Sequence, residues 1–210
     1  MRIYIIEVIR KEEKMKDFFI NLSERLVKAI ELDFTNLKKI IGNEKIYAVS
    51  LVTDSGTVSL FLAVNTNEFL EKKNEEKDTQ DSELFAQFAE YFPGKIDGFD
   101  AITSNTKWIP AEWGYSNNDL IHSEIALIVP KLFEKGTTID SPELPLFNRL
   151  FFECLTSTLQ TLITKGIFSE NNQIITKFIS ISDDERTEEI ENASAKILNS
   201  EEVYNKFSKR

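Results

Sequence analysis

Cysteine and histidine, which carry much of the nucleophilic and metal chemistry of proteins, are nearly missing from this sequence of 210 residues. A single cysteine, Cys154, excludes an internal disulfide and a cluster of metal-bound thiolates. It stands in the apolar run FFECL, where burial raises a thiol pKa and suppresses its reactivity. The single histidine, His122, has no second ligand at a metal-binding spacing and is predicted to be a partly exposed helix residue. The sequence therefore predicts neither a metal site nor a cofactor.

Glycine and proline are also scarce, with seven and five residues. No glycine-rich loop is present that could cradle a phosphate, and no HExxH-type motif or Ser–His pair occurs. Apolar runs are short, and none approaches the roughly 20 residues needed to cross a bilayer. In the opening stretch MRIYIIEVIRKEEK, Glu7 interrupts the apolar patch and no signal-peptide cleavage site follows. A cytoplasmic location is therefore expected.

Basic residues are outnumbered, with 25 Lys and Arg against 35 Asp and Glu, which gives a formal net charge of -10. This balance argues against nucleic acid, which needs a basic surface for its phosphates, and against anionic membranes. A basic protein partner would be attracted over long range. The same charge also serves solubility alone, so both interpretations stay open. Nothing in the sequence indicates the oligomeric state.

The first strong structural signal is a helix over residues 17–41, whose apolar residues recur every three or four positions. Gly42 follows the last of them, where a left-handed helix end is expected. Residues 1–10 fit either a short strand or the start of this helix. Residues 71–83 are charged and aperiodic, which predicts an exposed connection. An amphipathic helix is expected to resume over residues 83–92.

Residues 46–64 predict a β-hairpin, because two arms rich in Val, Ile and Leu flank a turn. Asp54 is expected to bond the backbone ahead of it, and Gly56 to supply the positive φ of the turn. Both faces of the hairpin are apolar enough to be covered, so it should be central in its sheet. The predicted fold class is α+β, a small antiparallel or mixed sheet with this central hairpin and helices packed on it. We expect a single domain over residues 1–210.

Two further helices and a strand follow. A helix with Ile121 in its buried stripe is predicted after Asn118, and Pro130 is expected to kink or divide it. Ser141 is the predicted N-cap of a long buried helix that contains Cys154. QIITKFISIS is the last predicted strand.

The densest acidic cluster, SDDERTEEIE, follows that strand. Asp183, Asp184 and Glu185 are conceivable ligands of a divalent cation. Helix capping explains the same residues better, because Ser182 with Glu185 fits a capping box and acidic residues stabilise the start of a helix. The cluster is therefore predicted to open the last helix, from Asp183.

Both tryptophans of the chain stand in one stretch, TKWIPAEWGYSNND. Pro110 is predicted to hold this segment extended. If Trp108, Glu112, Trp113 and Tyr115 were exposed, they would form an interaction hot spot, because aromatic anchors dominate binding energy at interfaces. The alternative is that one or both indoles fill the core, since tryptophan is usually well buried. Both interpretations stay open.

YAVSLVTDSG with AVNT, then WIPAEWGY, then KGIF and FISISDDE stand in this order along the chain. Together they resemble the bacterial family named domain of unknown function 4303, from about residue 15 to about residue 205. The W-x-P-A-E-W-x-Y element is the specific part of this resemblance. It implies a single-domain cytoplasmic protein with no established activity and no catalytic residue to assign. In size and acidity the chain also resembles the immunity proteins that neutralise toxins.

The candidate binding residues are Trp108, Glu112, Trp113 and Tyr115 from the tryptophan stretch, with Asp54 and Asn65 from the other matching segments. Our first hypothesis is a non-enzymatic, immunity-like module that masks a basic protein partner through an acidic surface. One alternative is an enzyme or small-ligand-binding protein in which Asp54, Glu112 and Asp183 meet in one cleft. Another is a subunit of a larger assembly.

Overall fold

The structure, a computed structural model, describes residues 2–91, 106–169 and 173–210, without the side chains of residues 2–9, 78 and 81–91. The helices in these ranges are α1 (Arg2–Ile41), α2 (Asn67–Tyr91), α3 (Glu124–Thr137), α4 (Leu144–Thr164), α5 (Thr187–Leu198) and α6 (Glu201–Phe207). The strands are β1 (Ile46–Asp54), β2 (Phe61–Thr66), β3 (Tyr115–Ser116) and β4 (Thr176–Ser182). None of the described helices has the length and apolar character needed to pass through a membrane.

The predicted stripe of α1 lies in the main core. The buried residues that it contributes there include Leu22, Leu26, Ile30, Phe34, Leu37 and Ile41. The helix already begins at Arg2, so the helical alternative for the N-terminal residues is the correct one. Gly42 has a φ of 67° and donates its N–H to the Lys38 carbonyl at 3.0 Å. This glycine therefore ends α1 in the left-handed conformation, as predicted.

The four strands form one mixed sheet in the order β3-β2-β1-β4. β1 and β2 are antiparallel and central, β3 is antiparallel to β2 at one edge, and β4 runs parallel to β1 at the other. The hairpin register pairs Val49 with Val64 and Leu51 with Leu62. The α+β class with a central hairpin is confirmed, and the sheet is of the mixed kind.

The hairpin turn departs from the prediction at one residue. Thr57, and not Gly56, has the positive φ, which is 54°. The Asp54 carboxylate accepts a hydrogen bond from the Val58 N–H at 3.1 Å, as predicted. The side chain of Thr57 is held by a tertiary contact, in which its hydroxyl donates to Asn148 Oδ1 of α4 at 3.1 Å. A contact so distant in sequence leaves no local pattern from which the turn could be predicted.

Each face of the sheet is covered by its own core. The main core combines one face with α1, α3 and α4. The smaller core, on the opposite face, contains the buried residues Tyr47, Ala48, Val52, Ala63, Trp113, Phe178, Ala195 and Phe207. The tryptophan stretch and the last two helices therefore close the second face.

Residues 71–83, predicted as an exposed connection between helices, lie within the continuous helix α2. The described side chains of this segment are charged and mostly exposed, as expected. Its many Glu, Lys and Gln residues are good helix formers, but an unburied helix carries no apolar periodicity by which it could be recognised. The predicted helix over residues 83–92 continues α2 as far as Tyr91. Its apolar side chains, and the predicted stop at Pro93-Gly94, lie outside the described residues.

α3 begins at Glu124, later than predicted, where the fully buried Asp33 of α1 caps it. The Asp33 carboxylate accepts hydrogen bonds from Ser123 Oγ at 2.7 Å and from the N–H groups of Glu124 and Ile125 at 2.9 and 3.0 Å. A carboxylate here satisfies free N–H groups and complements the helix dipole. Ile121 lies before the helix and is 94% exposed, so its assignment to the buried stripe is wrong.

α4 packs eight buried residues, and Cys154 is one of them. Burial raises the pKa of the Cys154 thiol to about 12, so this residue acts as a small apolar side chain, as predicted. The predicted N-cap at Ser141 is wrong. Residues 141–143 form a separate 3-10 turn, and α4 starts at Leu144.

α5 begins at Thr187, so the predicted capping box of Ser182 and Glu185 is not formed. Asp183 has a φ of 57° and turns the chain away from β4 before the helix starts. Asp184 instead pairs with Arg186, whose guanidinium Nη2 lies 2.9 Å from Asp184 Oδ2. The hydrogen bonds from Arg186 lower the pKa of Asp184 to about 2. Asp183, Asp184 and Glu185 thus form a turn before the helix, and Glu188 and Glu189 stand in the first turn of α5.

Candidate functional site

The tryptophan stretch crosses the second face of the sheet near the start of β1. Residues 106–108 and 110–112 form two 3-10 turns, so the extended conformation predicted around Pro110 is wrong. Pro110 opens the second turn, where its fixed φ suits a helical start and its missing N–H leaves no bond unmade. Ile109 and Trp113, which flank the second turn, have extended backbones, and β3 follows.

One backbone carbonyl organises this stretch. The carbonyl oxygen of Lys107 accepts hydrogen bonds from Tyr47 Oη at 2.8 Å and from Trp113 Nε1 at 3.1 Å. Both donor residues are buried, Tyr47 with 8% and Trp113 with 9% of its surface exposed. Tyr47 and Trp113 therefore satisfy their polar atoms inside the protein.

Asn65 connects the same stretch to β2. Its Nδ2 donates to Tyr47 Oη at 2.9 Å, and its Oδ1 accepts from the N–H groups of Thr66 and Gly114 at 3.1 and 3.3 Å. The residue is 2% exposed. Asn65 is thus a buried structural amide that holds the tryptophan stretch against the sheet.

The position between Trp113 and Tyr115 is a glycine because the chain passes close to Phe69 of α2 there. A Cβ at Gly114 would lie 2.5 Å from Cγ of the Phe69 ring, which is closer than real contacts allow. The ring of Phe69 also packs 6.1 Å from that of Tyr115. This packing explains the glycine in the W-G-Y element.

The two indoles pack edge-on against other aromatic rings. The Trp113 ring lies 5.6 Å from Phe178, and the Trp108 ring lies 5.0 Å from Phe207 and 5.8 Å from Tyr47. Trp113 is buried and Trp108 is partly buried. The Lys107 ammonium lies over the Trp108 ring, 5.2 Å from its centre. Both indoles therefore fill the second core, which matches the second of the two interpretations.

Glu112 and Tyr115 lie at the rim of this cluster. Glu112 is 42% exposed and its Oε2 accepts from Lys73 Nζ at 2.8 Å, which ties the stretch to α2. Tyr115 Oη donates to Glu44 Oε2 at 2.8 Å. Burial raises the pKa of Tyr115 to about 12, and the hydrogen bond to Glu44 adds to this rise. Of these two candidates, Glu112 is the one with a substantially exposed polar group.

Asp54 lies at the other end of β1 from the tryptophan stretch. Its partner in the parallel pairing is Ser182, which precedes Asp183, so these two aspartates are neighbours. Glu112 is close to Asn65, which pairs with Ala48. Six residues of strand separate Ala48 from Asp54, a distance of about 20 Å. Asp54 and Asp183 therefore lie at one end of the sheet and Glu112 lies towards the other, so the three residues do not line a common cleft.

Tyr47 and Glu44 are site residues that sequence reasoning missed. Tyr47 precedes Val49 by two residues, so the strict alternation of a strand would place both on one face. A bulge between Ile46 and Ala48 turns it to the other face. Glu44 showed no signal, because it receives its two donors from β2 and β3 only in the folded chain.

A groove of about 440 Å³ lies near Asp54, between the starts of α4 and α5. We call it the α4–α5 groove. Its apolar lining consists of Leu144, Pro145, Phe152 and Ile190, and Arg149 and Arg186 line it as well. Leu144 is 42% exposed. The groove therefore offers an apolar surface with charged groups at its border.

Acidic residues are concentrated beside this groove. Residues 183–189 contain five acidic side chains and one basic side chain, Arg186. Asp183, Glu185, Glu188 and Glu189 are exposed. Among the residues that the structure describes, no group of three or more His, Cys, Asp or Glu side chains has a geometry suited to a metal ion. We refer to residues 183–189 as the acidic segment.

A comparison with known protein families matches residues 26–200 to the family described as domain of unknown function (DUF4303). No curated protein and no solved structure matches the chain. The matched range includes the hairpin, the tryptophan stretch, β4 and α5, which build most of the second core, whereas α6 with Phe207 lies outside it. Because the match covers well over half of the sequence, the chain belongs to the DUF4303 family.

Proposed function

We propose that this protein acts by binding a basic protein partner, through the α4–α5 groove and the acidic segment beside it, and that it is not an enzyme. In this role it would mask its partner, as immunity proteins mask toxins. The observation that carries the proposal is the position of an apolar groove directly next to the most acidic exposed part of the chain.

The apolar lining supports this proposal because protein interfaces combine an apolar centre with a polar rim. Leu144 is apolar and yet 42% exposed, and Ile190 on α5 lines the same groove. A partner side chain seated between α4 and α5 would remove this apolar surface from water. The groove thus provides the anchor that a charged surface alone lacks.

Charge supports the choice of a basic partner. The acidic segment carries a local excess of four negative charges out of the net -10 of the chain. Within the segment only Arg186 offsets this excess, and its guanidinium is paired with Asp184. Arg149, the other basic residue that lines the groove, is paired with Glu153. Such an excess steers a basic partner towards the groove and speeds its association.

The polar groups in and around the tryptophan stretch favour a binding role over a catalytic one. Tyr47, Asn65 and Trp113 are hydrogen-bonded to one another or to the backbone, and they form the interior of the second core. The thiol of Cys154 is buried, and burial raises its pKa. These side chains hold the structure together and leave the surface to carry the function.

The test is an affinity purification with four baits from a lysate of the source organism, followed by quantitative mass spectrometry. Three of the baits are the wild-type chain, the Glu185→Lys/Glu188→Lys variant and the Glu24→Lys/Glu201→Lys variant. The last is a matched control, because it makes the same charge change at exposed residues of α1 and α6. A Leu144→Ser bait tests the apolar contact without changing the charge.

We expect a basic protein that the wild type and the control retain and that the Glu185→Lys/Glu188→Lys and Leu144→Ser variants lose. Its retention should fall as salt rises, because screening weakens attraction between exposed charges. A partner that all four baits retain equally, or one whose retention ignores salt, would exclude this surface. Circular dichroism of each bait establishes that the variants fold.

A further inference from the structure

The outer edge of β4 is covered by a helix. β4 is the last strand of the sheet and pairs with β1 along its inner side. A strand in this position ordinarily presents a row of unpaired N–H and C=O groups, to which the strand of another chain can bind. In this protein α5 packs against β4, and its side chains bond the backbone of every second residue of the strand.

Asn199 and Ser194 supply the hydrogen bonds that a neighbouring strand would supply. Asn199 Oδ1 accepts from the Lys177 N–H at 2.9 Å, and its Nδ2 donates to the Lys177 carbonyl at 2.6 Å. Ser194 Oγ accepts from the Ile179 N–H at 2.9 Å. The side-chain amide of Asn199 therefore bonds one residue of the edge in the way that a paired backbone amide does.

The geometry of the helix matches that of the strand. Thr187 Oγ1, at the start of α5, lies 2.9 Å from the carbonyl oxygen of Ile181 near the end of β4, so the two elements run antiparallel. Two residues of a strand rise about 6.8 Å, and the five residues of helix from Ser194 to Asn199 rise about 7.5 Å. Successive bonding residues of α5 therefore stay level with successive outward groups of β4.

A side chain also covers part of the opposite edge. The two-residue strand β3 pairs with Ala63 and Val64 of β2. Beside them, the Leu62 N–H donates to Asn117 Oδ1 at 2.6 Å, and Asn117 is 1% exposed. Asparagine thus takes the place of a backbone partner at both edges of this sheet.

The sequence of β4 favours pairing with an identical strand. TKFISIS contains two isoleucines, a phenylalanine and a threonine, a single charged residue, and neither proline nor glycine. Segments with high β propensity and low net charge pair with identical copies when their edges are exposed. Without its cover, β4 would offer such an edge to the same strand of a second molecule.

We propose that α5 conceals a strand-pairing edge, and that β4 pairs with β4 of a second copy of this chain when the cover is removed. Asn199 and Ser194 stand in for a fifth strand, so the edge is satisfied within one molecule. The contacts that carry this proposal lie inside the fold. The proposal therefore does not depend on the protein partner proposed for the α4–α5 groove.

The test compares the wild type with Ser194→Ala/Asn199→Ala, which removes the covering groups and leaves the buried Ala195 and Leu198 of α5 unchanged. Glu189→Ala/Lys196→Ala is the matched control, because it truncates two exposed polar side chains of the same helix and also leaves the net charge unchanged. Amide exchange followed by NMR reports on the Lys177 and Ile179 N–H groups. Size-exclusion chromatography with light scattering gives the mass, and both measurements are made at low and at high protein concentration.

At low concentration, the two amides should exchange at least about tenfold faster in Ser194→Ala/Asn199→Ala than in the wild type, because each has lost its acceptor. At high concentration, this variant should double its mass, and the same amides should become protected again. The wild type and the control should show neither change.

Unchanged exchange in Ser194→Ala/Asn199→Ala would overturn the proposal. So would a mass that does not depend on concentration, or an association that leaves the Lys177 and Ile179 amides unprotected. If this variant does not fold, Asn199→Ala alone is measured in the same way. An unchanged exchange rate at Lys177 in that single variant would then be the overturning result.

Discussion

Arg210 and Glu191 form a buried ion pair. The Arg210 Nη2 and Glu191 Oε2 atoms are 2.6 Å apart, and the two side chains are 12% and 8% exposed. The other carboxylate oxygen of Glu191 accepts from Ser180 Oγ of β4 at 2.6 Å. The guanidinium also lies over the Phe207 ring, 3.8 Å from its centre. This pair therefore fastens α5 and the end of α6 to the edge of the sheet.

Arg210→Met should destabilise the fold by about 3 kcal/mol, because it leaves the Glu191 charge buried without a partner. Adding Glu191→Gln in the same chain should recover part of that loss, since the uncompensated charge is then removed. Urea unfolding followed by circular dichroism measures both effects. Lys209→Met, at the exposed neighbour, is the control and should change stability by less than about 0.5 kcal/mol. Equal effects of Arg210→Met and Lys209→Met would show that the pair contributes nothing.

Trp113→Ala should destabilise the fold by about 3–5 kcal/mol, because it opens a cavity in the second core and removes a donor to the Lys107 carbonyl. Ile109→Ala alters the same stretch at a residue that is 39% exposed, and it should cost less than about 1 kcal/mol. Thermal unfolding of both variants distinguishes them. A Trp113→Ala variant as stable as Ile109→Ala would contradict the packing role. If the large loss is observed, this substitution cannot serve as a clean test of binding.

Asp33→Ala should destabilise the fold by about 2–4 kcal/mol, because three donors at the start of α3, one of them buried and two part-buried, lose their acceptor. Asp17→Ala removes a carboxylate from the exposed face of the same helix and should have little effect. The free energy of unfolding in urea gives the comparison. If both variants unfold at the same urea concentration, Asp33 does not hold α1 and α3 together.

Cys154 should be unreactive towards Ellman's reagent in the native protein at about pH 8, because the thiol is buried and its pKa is about 12. The same cysteine should react within the mixing time once the protein is unfolded in guanidinium chloride. Release of the coloured thiolate reports both rates. Rapid reaction in the native state would mean that the region around α4 opens readily or that the thiol is exposed.

The stability contributed by Lys177 should rise with pH. Burial lowers its pKa in the folded protein below the ordinary value of 10.5. Between these two pKa values the unfolded chain binds more protons than the folded chain, so stability increases as pH increases through this window. The unfolding free energy of the wild type should therefore rise relative to that of Lys177→Met as the pH approaches 10.5. Lys131→Met, at an exposed position on α3, should show no such trend, and a flat difference for Lys177→Met would contradict a buried ammonium.

Much of the fold could be predicted because its main elements have a periodic apolar face. The stripe of α1, the central hairpin and the buried α4 all follow from residue spacing, and each is present in the structure. The helical structure of residues 71–83 escaped prediction because the sequence of this segment has no apolar periodicity. The starts of α3 and α5 were misplaced for another reason. Asp33 caps α3 from a distant helix, and Asp183 adopts a left-handed turn.

The candidate site was predicted in part. The tryptophan stretch, together with Asn65, does form one cluster, and its residues were identified from their grouping in sequence. Their burial could not be read from the chain, because an aromatic strip has the same composition whether it lies in a core or at an interface. Asp54 was grouped with these residues only because of the family resemblance. β1 runs away from the tryptophan stretch, so Asp54 lies at the far end of the sheet. The single-domain organisation and the protein-binding role stay predictions.

Composition and spacing by themselves determined the α+β class, the hairpin, the inert cysteine and the acidic character, because each depends on local periodicity or on residue counts. Tertiary structure alone decided which polar side chains meet. Lys107, Tyr47 and Asn65 converge on one another from separate segments, and Asn199 of α5 bonds the backbone of β4, through contacts that no local pattern encodes. The reason is physical: periodicity records which side of an element faces the core, whereas a binding surface depends on how several elements pack together.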